Sequence, residues 1–367
     1  MKLDGCATSA GTLRYKQRFP QAASDHFRLR TNLWLSSIGL GTYLGSANES
    51  TDQNYQASIT RAVQLGVNVI DSAANYRFQR SERVIGEALK ALINDLGYSR
   101  DELIICTKGG YIPFDSAPPR NVRDYLEETF VKPGIASFDD FVGGSHCMTP
   151  AYIQNQLDQS LRNLNIDCID VYYIHNPESQ LDHVSESEFY HRLRAAFEVL
   201  EAKRQDGKLK QYGVATWSGF RVAEESREYH SLSKIVDTAR AAGGEEHGFS
   251  FVQLPFNLAM PEALTLVNQE VAGEKLTLLE AAQKLDVTVI SSASILQGRV
   301  ARGLPDVVRE SLGPLETDAQ TAIQFVRSTP GITTALVGMS NFAHVEENLV
   351  LLNRQPVGAE SFAKLFS

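Results

Sequence analysis

Eight times along this chain a short run of aliphatic and β-branched residues is followed by a stretch with apolar residues at helical spacing. The strand-like runs fall at 38–43, 67–70, 102–107, 170–174, 212–216, 250–254, 287–291 and 333–337. The helical patterns fall at 52–65, 81–92, 150–164, 186–205, 222–242, 276–285, 318–327 and 342–352. One helix start is well marked: Thr149 suits a cap, Pro150 suits a first turn, and Ile153, Leu157, Leu161 and Leu164 then share a face. Strands that alternate with helices require a parallel sheet, and eight such units close most economically into a (β/α)8 TIM barrel. A length of 367 residues would allow two domains at about 150 residues each. No linker or low-complexity stretch divides the chain, so a single α/β domain over residues 1–367 is expected.

Two segments interrupt the rhythm. Residues 111–148 separate a strand from its helix by far more than the usual 2–6 residues or so, and carry Pro118, Pro119, Tyr125, Phe130, Phe138 and Phe141. Long loops of this kind build substrate pockets in barrel enzymes, and a surface insertion with a small helix near 122–130 is the alternative. Residues 1–34, with the alternation FRLRTNLWL, predict an antiparallel hairpin or strap closing the barrel bottom.

The net charge of −9 opposes a phosphate backbone, and no basic stripe offsets it, so neither nucleic acid nor a membrane surface is an expected partner. Lys203, Arg204, Lys208 and Lys210 fall where a helix ends and read as a solvated terminus. No run of roughly 18 apolar residues is present and the N-terminus lacks an apolar signal core, so a cytoplasmic location is expected. Four cysteines without C-x-x-C spacing fit a reducing compartment and no metal ribbon. His146 and Cys147 are adjacent rather than spaced as chelating ligands, and no metal is expected.

Barrel enzymes gather catalytic groups at the C-terminal ends of their strands. The second strand ends in Asp71 with Tyr76 in the loop beyond; the third ends in Lys108; the fourth ends in His175. A free tyrosine ionises near pH 10 or so, and a neighbouring ammonium lowers that value. Lys108 is placed to supply the charge, Asp71 to hold Lys108, and His175 to donate to a carbonyl oxygen that becomes anionic.

The segments GLGTYLG (39–45), NVIDSAANY and RSERVIGEAL (68–89), ICTKGG, IDVYYIHNP, GKLKQYGVATWS, FVQLPFN and GMSNFAHVEENL (338–349) together resemble the aldo-keto reductases across nearly the whole chain. The resemblance implies reversible reduction of an aldehyde or ketone to an alcohol with NADP, or with NAD. Tyr76 is then the general acid, Lys108 its activator, Asp71 the partner of the lysine and a ribose contact, and His175 the residue that orients the carbonyl. Thr42 and Tyr43 fall where the family meets the nicotinamide ribose, and Thr216 and Gln253 where it meets the carboxamide. Ser292, Gly298 and Arg299 belong to the stretch that wraps the pyrophosphate. Gly338, Ser340, His344, Glu347 and Asn348 belong to the adenosine end.

Three departures qualify the transfer. The family's Ser-Asn pair after the fifth strand reads Ala215-Thr216. The Tyr that stacks on the nicotinamide ring is replaced by Ser292, with Phe256 or Trp217 as substitutes. The Lys or Arg pair that grips the 2′-phosphate is replaced by Met339 and His344, which weakens the case for NADP that the family otherwise favours.

Rival readings fit less well. Gly39, Gly41 and Gly45 are spaced G-x-G-x-x-x-G, not as a Rossmann fingerprint, and no H-x-H marks a metal hydrolase. The family also contains voltage-gated potassium-channel β subunits, so a cofactor-binding redox sensor or regulatory subunit with little turnover is the alternative. The substrate pocket is expected from the long loop after strand three, the loop after strand five and the tail with Phe362 and Phe366. Neither the individual substrate nor an oligomeric state is written in the sequence.

Overall fold

The computed structural model describes residues 2–366. The chain opens with α1 (Ser9–Gln17), capped by Thr8, whose side chain accepts from Gly11 N. β1 (Phe27–Arg30) and β2 (Leu33–Ser36) then form an antiparallel hairpin. Its turn residues Thr31 and Asn32 both have positive φ, 48° and 63°, which matches the twist of the strands they join. There follow β3 (Ile38–Gly41), α2 (Glu49–Gln64), β4 (Val69–Asp71), α3 (Arg80–Asn94), β5 (Ile104–Gly109), α4 (Val122–Leu126) and α5 (Pro150–Asn163). Next come β6 (Ile169–His175), α6 (Glu186–Gln205), β7 (Leu209–Ala215), α7 (Leu232–Gly243), β8 (Phe249–Pro255) and α8 (Glu262–Thr265). A second hairpin, β9 (Val267–Val271) and β10 (Glu274–Thr277), precedes α9 (Leu278–Lys284), β11 (Thr288–Ser292), α10 (Asp306–Leu312) and α11 (Asp318–Ser328). β12 (Ile332–Gly338), α12 (Phe342–Leu349) and α13 (Ala359–Ala363) complete the chain.

Strands β3, β4, β5, β6, β7, β8, β11 and β12 close into a barrel. Every ladder between them is parallel, including the closing one, where Ala335 pairs with Ile38. Strand period divides their side chains between two cores. Val69, Ile104, Cys106, Val171, Tyr173, Phe251, Ile290 and Leu336 fill the barrel interior, together with Leu33 and Leu35 from the hairpin beneath it. Ile70, Ile105, Tyr172, Ile174, Val252, Leu254, Val289 and Val337 point outward and meet the helices. The hairpin expected from residues 1–34 is present and plugs the barrel bottom, and α1 ahead of it was not expected.

Four other expectations change. The helix predicted over 222–242 begins at Leu232. Residues 222–231 are held by tertiary bonds instead: Asn268 Nδ2 donates to Phe220 O and Val222 O at 3.0 and 2.8 Å, and Tyr229 donates to Asn268 O at 2.7 Å. The helix predicted from 276 begins at Leu278, because Thr277 and Glu280 form a capping box there and 274–277 pairs as β10. The 111–148 loop is an insertion with a small helix: Ile112, Leu126, Phe130, Phe141 and Tyr152 make a satellite core of their own. The tail packs on the outside, with Phe362 and Phe366 at 5.5 and 6.4 Å from the ring of Phe325. Lys203 and Arg204 do lie in the last turn of α6, paired with Asp158 and Glu201. No helix of the described residues is long and apolar enough to cross a membrane.

Candidate active site

The inward stripes of four barrel strands end in a polar group at the top. Val69 leads two residues on to Asp71, Ile104 and Cys106 to Lys108, and Val171 and Tyr173 to His175; Phe251 leads to Gln253. The Lys108 Nζ lies 2.5 Å from Asp71 Oδ2 and 2.7 Å from Ser72 O. Gln253 Nε2 donates to the other Asp71 oxygen at 2.8 Å. Tyr76 stands above this pair, its ring centre 4.9 Å from Lys108 Nζ and 5.9 Å from the His175 ring. The structure therefore brings Asp71, Tyr76, Lys108 and His175 to one point.

Backbone left of the ordinary regions holds Tyr76 there. Arg77, Phe78 and Gln79 all have positive φ, 49°, 57° and 68°, a costly run that persists only where surroundings determine it. Arg77 donates to Ser46 O at 3.1 and 3.0 Å and pairs with Asp52. Gln79 Nε2 donates to Pro113 O at 3.0 Å. A second support lies behind His175. His146 Nε2 donates to the His175 carbonyl at 2.7 Å, and Gln180 Nε2 donates to His146 Nδ1 at 2.8 Å. Both nitrogens of His146 are thus engaged within the protein. The Tyr111 ring stands edge-on between the two imidazoles, 5.1 Å from each.

Burial works against the Lys108 ammonium, yet Asp71 and Tyr76 hold it above its ordinary value. Burial lifts the Asp71 carboxyl against the pull of Lys108 and Gln253. At 2.5 Å, with a second N–H on the far oxygen, the pair is a charge-assisted ion pair. Burial also raises the Tyr76 phenol by more than Lys108 lowers it, so the expected net lowering is not found. The ring is half-buried at the cavity edge. Burial, and after it Lys108 and His146, keep His175 well below the usual histidine value. His175 is consequently a neutral imidazole, and its buried Nδ1 has no hydrogen-bond partner among the described residues. An ammonium beneath a protonated phenol, with a neutral imidazole alongside, is arranged to deliver a proton to an oxygen in the cavity.

That cavity has a volume of about 500 Å³ and is bordered by Thr42, Tyr43, Asp71, Tyr76, His175, Thr216, Gln253, Ser292 and Gly338. Lys108 lies just behind the wall. Gly298, Arg299, Ser340, His344, Glu347 and Asn348 do not border it; Arg299 and His344 are exposed, and Asn348 is buried. Met339 is fully buried and faces the core, so it is not available to a phosphate. Of the two aromatic substitutes, Trp217 borders the cavity, whereas Phe256 is fully buried and stacks on Phe325 at 5.5 Å. Tyr111 is the contribution of the long loop to the cavity wall.

The sequence matches the aldo/keto reductase family over residues 37–304. The chain belongs to that family. Among curated relatives of this aldo/keto reductase, a putative voltage-gated potassium channel subunit beta from Schizosaccharomyces pombe is 24% identical over 344 residues, covering 90% of this chain and 88% of that protein. An NADH-specific methylglyoxal reductase from Escherichia coli is 28% identical over 210 residues, covering 56% of this chain and 54% of that protein. Among solved structures, an aldo/keto reductase from Klebsiella pneumoniae in complex with NADP and acetate superposes with a TM-score of 0.64 at 20% identity, covering 94% of each chain. At that identity the likeness is one of fold.

Several neighbours of the tetrad escaped the sequence reading of this aldo/keto reductase. Asn75, Asn176 and Tyr111 all border the cavity, although each stands within three residues of a residue that was singled out. Asn176 sits in the left-handed region before Pro177, a conformation with which Asn is at ease. Arg77 carried a signal only in hindsight, because its partner Asp52 lies on α2, far from it in the chain.

Proposed function

We propose that this aldo/keto reductase catalyses reversible hydride transfer between a nicotinamide cofactor and a small aldehyde, ketone or alcohol. The observation that carries the reading is the convergence of Asp71, Tyr76, Lys108 and His175 on one cavity, from three consecutive strands. The fit of a dinucleotide is supported by buried polar atoms without partners among the described residues at both ends of its expected course: Thr216 Oγ1 at the cavity wall and Asn348 Oδ1 on α12. Thr42, Tyr43, Gln253 and Ser292 border the cavity, and Gly298 and Arg299 follow Gln297 of its wall in the chain. When bound, the nicotinamide supplies the hydride. His175, held neutral, orients the substrate oxygen by a hydrogen bond. Tyr76 delivers its proton to that oxygen, and Lys108 stabilises the phenolate left behind. Asp71, its far oxygen held by Gln253, keeps the ammonium in place and balances its charge.

NADP remains the favoured cofactor, with Ser340, His344 and the start of α12 meeting the adenosine phosphate. NAD is its close competitor, since residues 338–344, GMSNFAH, include neither Lys nor Arg. A cytoplasmic location is part of this reading and is supported by four cysteines that are all free thiols.

The deciding experiment is a fluorescence titration with NADPH and NADH on wild type and Tyr76→Phe, followed by turnover on a panel of aldehydes. Tyr76→Phe should keep cofactor binding and lose about 10²–10⁴ in turnover. The Schizosaccharomyces pombe relative favours a second reading, a regulatory subunit that holds cofactor with little turnover. Tight binding by a wild-type protein that reduces nothing in the panel would move that reading ahead, and failure to bind either nucleotide would end both.

A further inference from the structure

The floor of the barrel carries a pair of cysteines remote from the cavity. Residues 3–7 run alongside the segment that enters β6. Leu3 bridges Ile166 in parallel register; its N–H donates to Asn165 O at 2.9 Å and its carbonyl accepts from Asp167 N at 3.1 Å. Gly5 N donates to Asp167 Oδ1 at 2.8 Å, and Ala7 N donates to Asp170 Oδ1 at 2.5 Å. Cys6 lies between the two donors and Cys168 lies between their two acceptors. The bridge at Leu3 and the carboxylates of Asp167 and Asp170 carry Cys6 past Cys168 within side-chain reach, and a disulfide accepts a Cα separation of roughly 4.4–6.8 Å.

The two thiols face one another and differ in setting. Cys168 is buried, its carbonyl held by Arg100 Nη2 at 3.0 Å. Cys6 is partly exposed. Contact with Cys168 lowers the Cys6 thiol to about 7, with Lys210 and Arg100 helping, against burial and Asp170. Contact with Cys6, and then burial, push Cys168 up. Cys6 is therefore the more readily ionised of the two and meets solvent, and Cys168 is the thiol behind it.

We propose that Cys6 and Cys168 form a peroxide-sensitive dithiol, whose oxidation closes a disulfide that ties residues 3–7 to the barrel floor. The Cys6 thiolate attacks one oxygen of hydrogen peroxide; the O–O bond breaks, and the departing hydroxide takes a proton as water, leaving a sulfenic acid on Cys6. The Cys168 sulfur then attacks the Cys6 sulfur; the S–O bond breaks, and hydroxide leaves with the Cys168 proton as a second water. Two thiols are oxidised and one peroxide is reduced to two waters. Cys106 and Cys147 are buried, and burial pushes both of their thiols up, Cys147 to about 11, so they are spared.

The test uses the full chain treated with hydrogen peroxide, then denatured in guanidinium for thiol titration. The four thiols of the sequence should fall to two, and non-reducing peptide mass spectrometry should join residues 6 and 168 within one chain. Cys6→Ser and Cys168→Ser should each abolish the link; Cys6→Ser, at the more exposed site, keeps the test valid if the buried variant fails to fold. The oxidised protein should melt about 5 °C above the dithiothreitol-treated one. Four surviving thiols, a link through Cys106 or Cys147, a link between chains, or sulfinic acid on Cys6 with Cys168 free would each overturn the proposal. A 6–168 link with an unchanged melting temperature would overturn the claim that it ties the segment down.

Discussion

At Lys108 the consequence of a substitution follows from what is left behind. Lys108→Met strands the Asp71 carboxylate, 4% exposed, with Gln253 as its remaining donor. Breaking one side of a buried pair costs about 3–5 kcal/mol. Tyr76→Phe removes one hydroxyl at a cavity edge and should cost under about 1 kcal/mol. Urea unfolding of the two variants separates these, and equal small losses would mean that water reaches the pair. The direction of the proton shifts also sets a pH profile. Tyr76 is an acid only below its pKa, and that pKa is raised from 10.0; His175 donates a hydrogen bond while neutral, and its pKa is depressed. Reductive kcat/KM should then be flat from about pH 6 to about pH 9, and a decline centred near neutrality would contradict the assignment of either residue.

Among elements, the barrel strands are the least forgiving of added bulk. A Cβ on Gly213 in β7 would sit 1.9 Å from the backbone oxygen of Phe251 in β8, and neither strand can retreat without breaking its ladder. Gly213→Ala should destabilise by about 3 kcal/mol or more, read as a lower urea midpoint at unchanged slope. The start of α12 carries a different expectation. With Met339 turned into the core and His344 exposed, discrimination for NADPH over NADH should stay below about tenfold, some 1.4 kcal/mol. Competitive titration measures that ratio.

For the molecule as a whole, two buried histidines at opposite ends of the barrel tie stability to pH. Burial lowers His26 from 6.5 to about 3 and His146 from 6.5 to about 4. Above about pH 6.5 both are neutral folded and unfolded, and their contribution is fully present. Below it the unfolded chain takes up protons that the folded chain refuses, so stability falls as pH falls toward the folded values. At roughly 1.4 kcal/mol per pH unit for each group, going from pH 7 to pH 5 should remove about 4 kcal/mol. Chemical denaturation at the two pH values checks this; His175, also held below its usual value, adds to the loss on the same side, and His146→Gln should recover about 2 kcal/mol of it.

The eightfold alternation was enough to determine the barrel, because strand and helix periods are local properties of the chain and a parallel sheet of eight such units has one economical closure. The tetrad was legible for the same reason: Asp71, Lys108 and His175 each end a period-two stripe whose earlier members are apolar. The positions of the surrounding pieces were decided elsewhere. Apart from Tyr111, the 111–148 aromatics turned to one another rather than to the cavity, residues 222–231 gave up helical bonds for those of Asn268, and Phe362 joined Phe325 on the outside. Each depends on a partner more than thirty residues away or on the packing of a whole loop, and no local period encodes that. The proton balance at Tyr76 belongs to the same class. The charge that lowers it can be read from the order of residues, but the burial that raises it exists only once the barrel has closed.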